Sequence, residues 1–249
     1  MTKVYENYVN GIKVLEKRTE LFPTSCGGKE EKEVGQKLEW HENGQKWSEE
    51  NYKDGRKDGQ QLSWYMNGQK EYEENYKEGH QDGQQLEWHE DGKKRGETNY
   101  KDGELDGLQI WRQENGQKWR EINYKDGQLD GHFLWWYGNG QKREEENYKD
   151  GQRDGQQIWW HENGQQSYKG NFIKPKNRKK SKKDGLQIRW YENGNKHFVE
   201  NHKNGKEEGL YTAWYKNGQK QCEINYKMGK AISSIDWDEE GNEKGRSDY

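Results

Sequence analysis

The dipeptide Asn-Gly, or a close substitute, returns along this chain at an almost constant interval. Its glycines stand at positions 44, 68, 92, 116, 140, 164, 194, 218 and 241, so the interval is 24 residues five times, then 30, 24 and 23. The pair is Asp-Gly at 92 and Glu-Gly at 241. One phrase surrounds each copy. In its clearest form it runs Leu62-Ser63-Trp64-Tyr65-Met66-Asn67-Gly68-Gln69-Lys70, then Asn75-Tyr76-Lys77-Glu78-Gly79, then Gln81-Asp82-Gly83. A fixed period of this length marks a repeat architecture. Each unit buries little alone and leans on its neighbours, which excludes a globule built around one central core.

The phrase contains two turn signals and no helical periodicity. Asn-Gly is the strongest short hairpin signal, because a type I′ turn needs positive φ at both central residues. An apolar-rich stretch such as Gln157-Ile158-Trp159-Trp160-His161 precedes it, and a stretch such as Gln45 to Lys53 follows it. The second connection is Asp54-Gly55-Arg56-Lys57-Asp58-Gly59 and its equivalents. Two strands per repeat predict an all-β fold, an elongated single-layer antiparallel β-meander of tandem hairpins. With only 2 prolines, strand pairing can run on unbroken.

Turn geometry predicts which residues share a face. Across a two-residue turn, the fourth residue before the glycine opposes the third after it. The first of these positions holds Trp40, Trp64, Trp88, Trp136, Trp160, Trp190, Trp214 and Trp237. In one hairpin it is Arg112, with Trp119 as the expected partner, which reads as an aromatic that changed strand and kept its face. Leu38, Leu62, Leu86, Ile110, Leu134, Ile158 and Ile188 belong to the Trp face. The opposite face is expected to carry Tyr52, Tyr76, Tyr100, Tyr124, Tyr148 and Tyr226, with Tyr65, Tyr137, Tyr191 and Tyr215. A bulge would flip part of this assignment.

Hydrophobic residues make up 26% and charged residues 36% of the chain, which in an aperiodic sequence would suggest disorder. Here 13 Trp and 16 Tyr recur at fixed offsets, and aromatics bury large areas each. A net charge of -3 gives no global field for nucleic acid. No apolar run is long enough for a membrane helix, and no signal-peptide core is evident. Cys26 and Cys222 lie far apart along the array, so two free thiols and a reducing, cytoplasmic setting are expected.

The phrase Trp-Tyr-x-Asn-Gly-Gln-Lys followed by Asn-Tyr-Lys-Asp-Gly-x-x-Asp-Gly resembles the variant MORN repeat, typical of bacterial proteins often labelled YwqK-type antitoxins. The resemblance covers residues 35–241. It implies an array of β-hairpins that binds a protein partner, in toxin-neutralising or immunity fashion, and performs no chemistry. Residues 1–34 are degenerate and read as an N-terminal cap; residues 242–249 form a polar tail.

Two departures from the period are candidate sites. Residues 172–184 hold a basic insertion with Lys174, Lys176, Arg178, Lys179, Lys180, Lys182 and Lys183, which would suit an anionic lipid surface or a phosphate-rich ligand. The second departure is the fifth position before the glycine. It is small or charged in most repeats but is Trp111, Trp135 and Trp159 in three successive ones. With Tyr168 and Phe198 as cross-strand neighbours, these residues form a candidate partner-binding stripe on the Tyr face. A carbohydrate-binding array is the remaining alternative. No nucleophile, phosphate-loop or zinc motif occurs, so neither catalysis, cofactor nor metal is expected. His41, His89 and His161 take a place that is Tyr elsewhere, and Glu49, Glu73, Glu97, Glu121 and Glu145 read as a solvated ladder.

Overall fold

The computed structural model describes residues 2–175 and 180–249, and among them every regular element is a β-strand. The chain divides into two units, Met1–Lys118 with Tyr124–Gly127, and Trp119–Asn123 with Gln128–Tyr249. Each is an antiparallel meander in which successive strands pair. In the first, Gly59–Trp64 pairs with Lys70–Lys77, which pairs with Gly83–Trp88 and so onward to Lys94–Lys101. In the second, Gly155–Trp160, Gln166–Ile173, Gly185–Trp190 and Lys196–Lys203 follow the same order. The all-β hairpin meander read from the sequence is therefore the fold. Residues Lys3–Val9, Ile12–Pro23 and Lys29–Glu33 also form strands, and Glu243–Asp248 pairs with Lys230–Trp237.

The two turns exchange the roles expected of them. At Asn67-Gly68 only the glycine has positive φ, at 81°. Gly68 N donates to Tyr65 O and Tyr65 N to Gln69 O, each at 2.9 Å. This is a type I turn closed by a left-handed glycine, a three-residue loop with a bulge. The two-residue type I′ turn lies instead at Glu78-Gly79, with φ of 51° and 89°, between the paired Lys77 and His80. Asn67 serves by its side chain. Its Oδ1 accepts Gln69 N at 2.9 Å, and its Nδ2 donates to Glu90 O, one repeat onward, at 2.8 Å.

The bulge shifts the register by one residue at the Trp position. Trp64 opposes Lys70, two after the glycine, whereas Ser63 opposes Tyr72 as expected. The third residue after the glycine is the bulged one, and it lies over the Tyr face. Glu71 accepts from Ser63 Oγ at 3.2 Å, and the Arg143 guanidinium lies 4.2 Å from the Trp135 ring centre. The strand-swap reading of Arg112 and Trp119 is therefore corrected. Arg112 keeps the Trp face, paired to Glu97 at 2.8 Å, and Trp119 belongs to the opposite face.

The second Asp-Gly of each connection is also no turn. Gly59, with φ of 93°, sits within a strand that is kinked at this point. Tyr52 opposes Lys57 but Glu49 opposes Leu62, so the kinked strand carries two extra residues. Asn51 and Gln61 fill the gap. Asn51 O accepts Asp58 N at 2.9 Å and Gln61 Nε2 at 3.0 Å, and Gln61 Oε1 accepts Asn51 N at 3.1 Å. Asp58 in turn accepts from Glu78 N at 2.9 Å, securing the next turn.

The face opposite the Trp ladder carries the buried residues, and they are mostly polar. Ser48, Gln61, Glu87, Thr98, Ile122, Glu146, Gln157, Tyr168, Gln187, Glu200, His202 and Ala213 are buried there; among the described residues of the repeats, Thr212 alone is buried on the Trp face. Long neighbours lying over a single layer of strands achieve this burial, and buried polar groups are held by hydrogen bonds. Gln187 Nε2, for example, donates to Asn171 O at 2.9 Å.

Candidate functional site

The Trp face is built on one recurring contact. Lys46, Lys70, Lys142, Lys196 and Lys220 sit 5.2, 5.5, 5.8, 5.7 and 5.6 Å from the ring centres of Trp64, Trp88, Trp160, Trp214 and Trp237. Lys46, Lys70, Lys142 and Lys220 also pair with Glu49, Glu73, Glu145 and Glu223 at 2.7, 2.8, 2.7 and 2.5 Å. Cation–π contact, joined by an ion pair in four cases, thus ties these rungs to the next. The Tyr before each loop adds a second tie: Tyr65, Tyr137, Tyr191 and Tyr215 hydroxyls donate to Trp88, Trp160, Trp214 and Trp237 carbonyls at 2.8–2.9 Å. His41 Nε2 and His161 Nε2 make the same contact with Trp64 and Trp190 carbonyls at 2.9 and 3.1 Å. Histidine here replaces the tyrosine hydroxyl.

The Tyr face is where the units differ. One lateral row crosses the strands at the fifth position before each glycine. In the first unit it reads Leu15, Glu39, Ser48, Ser63, Tyr72, Glu87, Gly96, Trp111. Beside it lies a shallow cleft of ≈ 200 Å³ lined by Ser48, Glu50, Lys57, Gln61, Ser63 and Tyr72. Burial disfavours the Glu50 charge, but Lys57 and Lys37 outweigh that and hold its carboxyl below the usual range. Trp111 lies across Gly96, where a Cβ would stand 3.0 Å from the indole.

In the second unit the row reads Trp135, Glu144, Trp159, Tyr168, Arg189, Phe198, Ala213, Cys222, Asp236. Of the sequence-predicted residues, Trp135, Trp159, Tyr168 and Phe198 share this row, whereas Trp111 belongs to the first unit. Trp159 opposes Tyr168 with ring centres 4.6 Å apart, and Arg189 opposes Phe198. Trp119 and Phe133 each lie 6.4 Å from Trp135.

Exposure separates the members of this row. Trp135, Trp159 and Phe198 are half-buried, whereas Tyr168 is only 4% exposed. Trp159 is anchored: its Nε1 donates to Glu146 at 2.7 Å, and Arg153 donates to the same carboxylate at 2.9 Å. Glu146 also accepts the Tyr148 hydroxyl, and burial with that charge pushes the Tyr148 phenol up to about 12. Burial, then Glu146, raises the Glu144 carboxyl. Trp119, Phe133, Arg143 and Arg189 escaped the sequence reading. The bulge hid Trp119 and Arg143 by moving them to this face, although their recurrence three residues after the glycine was visible.

Around the basic insertion, Lys174 pairs with Asp150 at 2.5 Å and Lys183 with Glu200 at 2.7 Å. Lys182 lays its stem against Gly205, and Lys180 is exposed. Lys176, Arg178 and Lys179 lie outside the described residues. Among the described residues no three His, Cys, Asp or Glu side chains converge to hold a metal, and Cys26 and Cys222 are free thiols.

Comparison with known proteins follows the same period. The model of the MORN repeat variant matches residues 33–54, 57–78, 81–102, 105–126, 129–150, 153–174, 183–204 and 207–228. The chain belongs to the MORN repeat variant family. Each MORN match spans one hairpin, such as Gly59–Trp64, the loop at Asn67-Gly68 and Lys70–Lys77, and stops at the first residue of the type I′ turn. No curated protein matches the chain. Among solved structures, it is similar at 11% identity to chains titled "Crystal Structure of TcdB2-TccC3-Cdc42" and "Crystal Structure of TcdB2-TccC3", with TM-scores of 0.23 and 0.16. Each alignment covers 98% of this chain and 18% of the other, so the chain spans under a fifth of those proteins.

Proposed function

We propose that this MORN-repeat chain is a non-catalytic scaffold that docks a protein partner on the aromatic row of its second unit. One observation carries the reading. The fifth position before the glycine is Glu39, Ser63 and Glu87 in three repeats but Trp111 at the end of the first unit and Trp135 and Trp159 in the second, where Trp119 and Phe133 lie beside Trp135. Residues that obey the period are accounted for by the ties between rungs; residues that break it need another cause. Half-buried aromatics in a cluster are the usual anchors of protein interfaces. Neutralisation of a toxin is the specific form of this reading that the family resemblance suggests.

Trp135 is the member to test, because its indole makes no hydrogen bond among the described residues. Trp135→Ala is expected to weaken a partner isolated from the native host by about 2 kcal/mol or more, with little change in melting temperature. Isothermal titration beside a thermal melt measures both. Unchanged affinity in a folded variant would sink the row as the docking site.

A further inference from the structure

Three arginines of the second unit lie on aromatic rings of the row's face without a hydrogen-bonded carboxylate. The Arg143 guanidinium is 4.2 Å from the Trp135 ring centre and 5.7 Å from that of Tyr137; its nearest carboxylate, Glu144, is 3.4 Å away and makes no hydrogen bond. Arg189 sits 6.0 Å from Tyr168 and 5.8 Å from Phe198, is exposed, and has no ion pair among the described residues. Arg120 lies 5.9 Å from Phe133 with its buried Nε unpartnered. By contrast, Arg95, Arg112 and Arg153 are paired to Glu87, Glu97 and Glu146 at 2.7, 2.8 and 2.9 Å.

The charges along the row from Trp135 to Phe198 leave a surplus. Arg153 neutralises Glu146 and Lys183 neutralises Glu200, which leaves Arg143 and Arg189 against Glu144; Arg120, Glu207 and Asp236 flank that stretch. A guanidinium laid on a ring keeps its in-plane N–H edge free, and that edge matches a carboxylate bidentately. Arg143 occupies a face of the Trp135 ring, and Trp159 and Tyr168 face each other. Nucleic-acid bases need open ring faces on which to stack, so the arrangement favours carboxylates over bases. From Trp135 to Phe198 the row crosses five strand intervals, roughly 24 Å at about 4.8 Å each, the reach of about seven extended residues.

We propose that the docked partner presents an extended acidic segment, its Asp or Glu carboxylates held by the edges of Arg143 and Arg189 and its backbone laid across Trp135 and Trp159. This rests on the docking reading above and names the partner's chemistry. The test uses the full chain and a fluorescent peptide of about ten residues, alternating Glu and Leu, followed by anisotropy. The Glu peptide is expected to bind, its Gln counterpart to bind far more weakly, and added salt to weaken the complex.

Arg143→Gln with Arg189→Gln should lose at least about tenfold in affinity, while Arg95→Gln, whose residue is tied to Glu87, leaves it unchanged. If the double Gln variant melts early, the Arg143→Lys, Arg189→Lys pair decides, since lysine keeps the charge and loses the fork: several-fold weakening is expected, and none overturns the proposal. No binding of the Glu peptide, an unaltered double variant, or tighter binding of oligothymidylate also overturns it. Loss of the native partner in Trp135→Ala but not in the double arginine variant would remove the acidic chemistry and leave the docking site standing. Retention in both would remove the two together.

Discussion

Asn163 closes two loops with one side chain. Its Oδ1 accepts Gln165 N at 3.0 Å within its own loop, and its Nδ2 reaches Glu192 O in the next at 2.8 Å. Asn163→Ala should therefore cost about 1–2 kcal/mol in urea unfolding, and Asn163→Asp less, since it keeps the acceptor. Gly164→Ala meets a different obstacle. Its φ is 83° and the added Cβ would run into Gln141 Oε1, so a loss of about 1–2 kcal/mol is expected from the left-handed backbone, partly relieved by removing Gln141. Both residues were legible as turn formers in the sequence. What the asparagine does was not, because sequence spacing cannot distinguish a two-residue turn from a three-residue loop with a bulge. The same ambiguity misplaced Trp119 while leaving Trp159 opposite Tyr168 as expected.

At the scale of the hairpin, each element is held by its predecessor and its successor rather than by a common core. Trp160→Ala removes the ring beneath Lys142. Because the ring is half-buried, the cost should fall below the 3–5 kcal/mol typical of a fully buried aromatic. Hydrogen exchange is expected to rise in Gly155–Trp160 and in the strands beside it, and hardly at all in Gly209–Trp214; an even rise throughout would contradict nearest-neighbour coupling. Strand number and pairing were readable from the two turn signals in each repeat. The kink at Asp58-Gly59 was not, since Asp-Gly reads as a turn wherever it occurs. Asn51 and Gln61, the residues that make the kink possible, look like unremarkable surface amides in the sequence.

For the whole chain, the polar character of the buried face sets the response to alkali. Burial pushes the phenols of Tyr72, Tyr148, Tyr168 and Tyr211 up to about 12, with carboxylates or the Cys222 sulfur adding to it. The folded chain thus holds these protons more firmly than the unfolded one, whose phenols titrate near 10. Their contribution to stability is complete below pH about 10 and is lost as pH climbs towards about 12. Ultraviolet titration of tyrosinate should show a delayed fraction that vanishes in urea, and the melting temperature should fall across the same window. A single titration near pH 10 in the native chain would refute it. The sequence shows 16 tyrosines, most of them at recurring positions; it does not show which have carboxylates beside them, because that depends on a face assignment the bulge controls.

The Asn-Gly loops also determine how this protein ages. Asn-Gly is the sequence most open to deamidation, in which the glycine nitrogen attacks the asparagine amide carbon. In the folded loops that nitrogen is engaged with the carbonyl three residues back, as Gly164 N is with His161 O at 2.9 Å. Once a hairpin opens, the reaction can proceed, and the aspartate it leaves has no N–H to reach the next loop. The chain carries one such aspartate from birth, Asp91, and there Lys93 supplies the missing donor, reaching Glu114 O at 3.2 Å. Loops without that lysine have no repair, so chemical damage is expected to spread outward from the first hairpin that opens.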